Sequence, residues 1–298
     1  MLPPSTPTGL WLPLITPFRD GEVDDHSLRR LVEHYAAAPV DGLILAATTG
    51  EALTLDEDEV RRMVTVAAEA IGRCGRPMRL FLGLCGSNTR KMLDALARAE
   101  SLPIDGTLIS CPYYSRPSQD GLDRHFRALA GATSRPIWIY NIPYRTGVNM
   151  SNDTLLGLAE LPNIQGVKDC CADAAQSFDL LRRRSPGLSV FTGEDSGFFT
   201  ALCQGAEGGI LASAHVDPTA FATVAALVRS GDLPGALAAW KPLAPLAALL
   251  FAEPNPAPIK HWLWRTGLIA SPELRLPMTG VSDGLAARLD RAIAGTIF

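Results

Sequence analysis

The chain has 298 residues, 47% of them hydrophobic and 19% charged, enough to bury one large core or two ordinary ones. A net charge of −4 and an isoelectric point near 5.8 argue against nucleic acid or an anionic membrane as a partner. No basic and apolar leader opens the sequence, no apolar run reaches the ~20 residues of a membrane span, and the six cysteines show no Cys-x-x-Cys spacing. A cytoplasmic protein with reduced thiols is expected.

Eight short apolar runs read as strands: residues 10–15, 42–46, 79–83, 106–110, 137–140, 164–168, 189–192 and 208–211. Amphipathic segments lie between them. Leu28, Leu31, Val32 and Tyr35 follow helical spacing, as do Val60, Met63, Val64 and Ala67, and later Phe221, Val224, Ala225 and Val228. Asp56 followed by Glu59 is a helix start signal. Arg182-Arg183-Arg184, the densest run of like charge, reads as a solvated helix end.

Strands apolar throughout, alternating with helices, predict a parallel sheet covered by helices. At roughly 230 residues, a closed (β/α)8 TIM barrel fits. An open doubly wound sheet is the alternative, weakened by the lack of Gly-x-Gly-x-x-Gly after the first strand. The predicted organisation is a catalytic barrel over 1–233 and a C-terminal helical domain over 234–298. In that tail, helical segments to residue 252, over 257–266 and over 283–294 are expected; the run 243–252 reads as short and broken by proline.

Barrel sites form at the C-terminal ends of strands. There the chain carries Thr48-Thr49-Gly50-Glu51, Cys111-Pro112-Tyr113-Tyr114, Tyr140 to Gly147, Lys168-Asp169 and Gly193-Glu194-Asp195. Four of the five tyrosines fall in two of these loops, although tyrosine also packs well at a rim. No His/carboxylate set for a metal is seen, and no cofactor is implied. His215 reads as a structural hydrogen-bonder, and Gly208-Gly209 as a tight strand start in preference to a phosphate loop.

Lys168 stands out because the chain has only four lysines (Lys91, Lys168, Lys241 and Lys260) against 23 arginines. A lysine in a barrel mouth has its charged form disfavoured, freeing the amine to form an imine with a ketone. Arginine stays protonated and cannot do this. A nearby tyrosine could move protons, and Thr48 and Thr49 could bind a carboxylate. The bland alternative is a lysine reaching the rim and paired with Asp169.

These stretches, together with Pro112 to Gln119, Gly166-Val167-Lys168, Glu253-Pro254-Asn255-Pro256 and Leu274 to Thr279, resemble the dihydrodipicolinate synthase family of pyruvate-dependent lyases. The resemblance implies a (β/α)8 barrel with a helical C-terminal domain. It implies condensation of pyruvate with L-aspartate 4-semialdehyde. Lys168 would form the Schiff base, with Tyr140, Thr48 and Tyr114 as the proton relay. Thr49 would bind the pyruvate carboxylate, Arg145 the carboxylate of the semialdehyde, and Gly193 and Ile210 would offer backbone contacts. Tyr114 would come from a neighbouring subunit, implying a homo-oligomer, usually a tetramer built as a dimer of dimers. A bidentate guanidinium at Arg145 fits a short acid acceptor.

The chain departs from the family pattern at Cys85, Tyr144 and Asp169. Aspartate after the lysine is common in relatives that release pyruvate from 2-keto-3-deoxy acids, which makes such an aldolase the second reading. A non-catalytic keto-acid binder is the third; the complete set of Lys168, Tyr140, Tyr114, Thr48 and Arg145 argues against it. Members of the family inhibited by L-lysine carry an acidic residue where Lys91 stands and often a histidine where Glu57 stands. Weak or absent feedback inhibition is expected here. Packing behind the strand is expected of Cys170 and Cys171.

Overall fold

The computed structural model describes residues 7–295. Residues 1–6, which carry most of the leader reading, lie outside it, as do the last three residues of the expected C-terminal domain.

In chain order the elements begin with β1 (Gly9–Pro13), a small antiparallel pair β2 (Phe18–Arg19) and β3 (Glu22–Val23), α1 (Asp25–Ala37), β4 (Gly42–Leu45), α2 (Glu57–Arg73), β5 (Arg79–Leu84) and α3 (Thr89–Ala99). Then come β6 (Gly106–Ser110), α4 (Gln119–Ala130), β7 (Ile137–Asn141), the single turn α5 (Pro143–Thr146), α6 (Asn152–Leu158), β8 (Ile164–Asp169) and α7 (Ala174–Arg183). The chain continues through β9 (Ser189–Thr192), α8 (Phe198–Cys203), β10 (Gly208–Ile210), α9 (Pro218–Ser230), α10 (Leu233–Leu250), α11 (Ala257–Arg265) and α12 (Asp283–Ile293).

The eight longer strands form one closed barrel in the order β1–β10–β9–β8–β7–β6–β5–β4. This is the expected (β/α)8 arrangement, with each strand expectation met to within two residues; the open sheet is excluded. The β2–β3 pair was not foreseen, because two-residue strands leave no periodic signal.

Contacts divide the described chain into two compact units. One holds residues 7–9 and Phe81–Ile210, the other Leu10–Leu80 and residues 211–295. In the first, apolar side chains of β6 to β9 and of α3, α4, α6 and α7 share a core that includes Ile109, Phe126, Ile139, Val167 and Val190. Their alternate positions face the barrel interior. There Trp138 lies between Phe81 and Phe191, with ring centroids 4.5 and 4.7 Å away. Glycines make room for this aromatic floor: a Cβ on Gly166 would sit 2.8 Å from Trp138, and one on Gly106 2.6 Å from Phe81. Gly208 instead lets two backbones approach, since its Cβ would meet the Gly9 carbonyl oxygen at 1.8 Å. That is the tight strand start expected of it.

In the second unit, Asp56 caps α2 with the complete reciprocal box to Glu59. His215 is buried, its Nε2 accepting from Ile15 N–H and its Nδ1 hydrogen-bonded to the Ala212 carbonyl, as expected of a structural histidine. The helical segment expected up to residue 252 is present as α10, whereas the reading of the run 243–252 as short and broken by proline is corrected. α10 runs unbroken for 18 residues through Pro242 and Pro245 and is long and apolar enough, by length and composition, to cross a membrane. Both prolines are exposed, as are the residues four before them, Ala238 and Lys241. Water can therefore take the carbonyls that proline leaves unpaired. The opposite face is buried, with Trp240 edge-on to Phe221 of α9.

Candidate functional site

Lys168 is the fifth residue of β8 and is 6% exposed. In register it lies beside Tyr140 of β7 and Phe191 of β9. Its Nζ is 4.4 Å from the centroid of the Tyr140 ring, itself buried. Burial pushes the amine below its usual 10.5; Cys170, Asp195 and Glu194 pull it back up, and Arg145 adds to the lowering. Burial wins, so the neutral, nucleophilic form is favoured relative to a free lysine.

Gly193 follows β9 directly, its N–H donating to the Asp169 carbonyl at 2.9 Å. A Cβ there would lie 2.3 Å from Lys168 Cε and 2.4 Å from Cys170 Sγ. Only glycine leaves space for the lysine beside it. Ile210, the last residue of β10, is fully buried.

The pairing of Lys168 with Asp169 is overturned. Neighbours on a strand face opposite sides, and Asp169 points outward. Its carboxylate accepts from Ser177 Oγ at 2.6 Å and from Cys171 N–H at 3.2 Å, at the start of α7. The two cysteines also part. Cys171 sits behind the strand with Ser177, as expected. Cys170 shares the interior face with Lys168, which corrects the expectation that it packs behind. Its thiol is buried and interacts electrostatically with Glu194, and burial raises it well above the ordinary value. Sequence reasoning placed neither Cys170 nor Glu194 beside Lys168; the two-residue period from Lys168 was the available signal for the cysteine.

Arg145 rides on α5, the turn after β7, and is exposed at the rim, its guanidinium 5.5 Å from the Tyr144 ring. Its loop is tied down by amides. Asn141 accepts from Met150 N–H at 3.1 Å and donates to Asn149 at 2.9 Å, while Gln176 reaches the Met150 carbonyl at 3.0 Å. Tyr114 N–H donates to the Thr146 carbonyl and Arg116 Nε to the Gly147 carbonyl, at 3.2 and 2.8 Å. The loops carrying Tyr114 and Arg145 are thereby joined. The Tyr114 side chain is 93% exposed on a backbone with φ of 68°, left-handed and strained for a tyrosine.

Within the second unit, the turn after β4 places Thr48 half-buried and Thr49 buried. Thr49 Oγ1 accepts from Asn255 Nδ2 at 2.9 Å. Glu51, at φ 55°, meets Lys260 at 2.5 Å in an ion pair fully shielded from solvent. Among the described residues no group of three or more His, Cys, Asp or Glu side chains is placed to hold a metal ion.

A buried amine with a lowered hold on its proton, set beside a phenol, can form an imine and move the protons that this requires. A family model described as the dihydrodipicolinate synthetase family matches residues 6–295. The 4-hydroxy-tetrahydrodipicolinate synthase 2 of Clostridium acetobutylicum is 43% identical over 284 residues, 95% of this chain and 98% of that protein. Among solved structures, the dihydrodipicolinate synthase from Aquifex aeolicus superposes with a TM-score of 0.92 at 32% identity, covering 97% of both chains. A chloride-inhibited dihydrodipicolinate synthase from Acinetobacter baumannii, complexed with pyruvate, does so with a TM-score of 0.92 at 32% identity, covering 97% of this chain and 98% of that one.

Proposed function

Because the chain belongs to the dihydrodipicolinate synthetase family, we propose that Lys168 is the Schiff-base lysine of an enzyme condensing pyruvate with L-aspartate 4-semialdehyde. The product is 4-hydroxy-tetrahydrodipicolinate, on the route to diaminopimelate and lysine. The observation that carries the assignment of Lys168 is its buried amine over the Tyr140 ring.

The neutral Nζ adds to C2 of pyruvate, and water leaves to give an iminium. Loss of a C3 proton gives the enamine, whose C3 attacks the aldehyde carbon. The amino group of the semialdehyde then displaces Lys168 from C2, closing the ring. One water is released overall. In this reading Tyr140 moves the protons at Lys168, relayed through Thr48 and the Tyr114 of a neighbouring subunit. Thr49 holds the pyruvate carboxylate, and the backbones of Gly193 and Ile210 line its position. The exposure of Tyr114, on a strained backbone that its loop contacts hold in place, supports a role completed by a second copy. A tetramer made of two such dimers is the expected assembly, and the cytoplasm the expected location. The division into a barrel over 1–233 and a helical domain over 234–298 follows the same family plan.

The aldolase reading rested on Asp169, and that carboxylate is occupied on the outer face by Ser177 and Cys171. Arg145 at the rim favours an acceptor with a carboxylate. The decisive test is borohydride trapping with pyruvate together with a coupled assay on aspartate semialdehyde and a panel of 2-keto-3-deoxy acids. Arg145→Ala is expected to lower kcat/KM for the semialdehyde by about 10²-fold, consistent with loss of a charge-assisted contact of roughly 3 kcal/mol. Trapping by pyruvate should change little.

Gly193→Ala is expected to slow pyruvate trapping by about 10²-fold, because the new methyl displaces the amine from its line of attack. Stopped trapping kinetics alongside a circular dichroism spectrum check it. With a cation at Lys91 on α3, millimolar L-lysine is expected to leave the coupled rate nearly unchanged. Strong suppression in a titration would contradict that.

A further inference from the structure

A threonine hydroxyl has one proton to give and two lone pairs to offer. Which it presents to a ligand depends on its other partner. Thr49 is 3% exposed, and its Oγ1 accepts the side-chain N–H of Asn255, 206 residues away and 7% exposed. With that lone pair taken, the hydroxyl proton is directed elsewhere.

This bond is not what holds the turn. The backbone is secured separately: Gly50 N–H donates to Ala47, Glu51 N–H to Thr48, and Thr16 Oγ1 to the Gly50 carbonyl at 2.7 Å. Glu51 is anchored by Lys260 and by the Arg275 N–H at 3.1 Å. What Asn255 adds is the orientation of one hydroxyl. Its own Oδ1 is buried with no hydrogen-bond partner among the described residues. Burying an amide half-satisfied is costly, so its retained half has a task.

We propose that Asn255 is a positioning residue that makes the Thr49 hydroxyl an obligate donor toward the keto-acid carboxylate, and so sets the affinity for pyruvate. This rests on the reading of Thr49 as the carboxylate-binding residue. An anion needs donors, and a threonine turned the other way would present it with lone pairs.

Asn255→Asp tests this with a side chain of the same shape. An ionised carboxylate only accepts, so Thr49 must donate to it and turn its lone pairs to the ligand. The readout is the pyruvate concentration giving half-maximal borohydride inactivation. It should rise at least about tenfold, more than the maximal inactivation rate falls. In a Thr49→Val background the same substitution should shift it less than about twofold, because no hydroxyl remains to invert. An unshifted value in Asn255→Asp overturns the proposal. So does an equal shift in both backgrounds, which would mean simple charge repulsion. If thermal denaturation shows that Asn255→Asp is unfolded, Asn255→Leu, which removes the donor without a charge, must raise the value by a few-fold in the same Thr49-dependent way; no rise overturns the proposal. A parent protein that pyruvate and borohydride never inactivate would refute the assignment of function instead.

Discussion

Lys168→Ala is expected to abolish the borohydride-stable pyruvate adduct and to cut the condensation rate by at least about 10³-fold, a barrier increase above ~4 kcal/mol. The size follows from the chemistry: without a primary amine neither iminium nor enamine forms. Lys168→Arg should be as inactive, because a guanidinium keeps its proton. Mass spectrometry of the trapped protein locates the adduct, and normal turnover by Lys168→Ala would sink the imine mechanism. In the parent protein, trapping is limited at low pH by protonation of the amine. Burial lowers the affinity of Lys168 for a proton, so the rate should climb with pH and level off below the usual lysine value of 10.5.

Lys260→Ala is expected to destabilise the fold by about 3–5 kcal/mol without touching the reacting atoms. The Lys260 side chain has no solvent exposure, and that of Glu51 1%. Burial pushes Lys260 down to about 8, against the pull of Glu51. Its Nζ also donates to the Glu273 carbonyl at 2.7 Å and lies 4.2 Å from the Phe18 ring centroid. Removing the cation strands a buried carboxylate, whose desolvation is then uncompensated. Denaturant unfolding of Lys260→Met and of Lys260→Met with Glu51→Gln separates the terms. The double variant should recover much of the loss, since the neutral amide needs no counter-ion. A Lys260→Met protein as stable as its parent would show that the pair contributes nothing.

Elements that local patterning controls were legible in advance. Apolar runs marked the eight barrel strands, and the Asp56–Glu59 spacing marked the capped start of α2. The segments at 257–266 and 283–294 became α11 and α12 to within a residue. Lys168 was legible because it is a scarce residue type at the end of an apolar strand. The alternation of a strand could also have separated Asp169 from Lys168 and joined Cys170 to it. The helical segment up to residue 252 was legible too, but not how α10 tolerates two prolines, because that depends on which face meets solvent.

The sequence by itself thus determined the barrel, the family and the lysine proposed to form the imine, since these follow from short-range periodicity and from motifs contiguous in the chain. The tertiary structure decided which partners those residues have. It set Tyr140 under the Lys168 amine, let Gly193 make space for it, and brought Asn255 to Thr49 and Lys260 to Glu51 across more than 200 residues. Hydrogen bonds and ion pairs act over a few ångströms of space whatever the separation along the chain. No local pattern records them before the barrel closes.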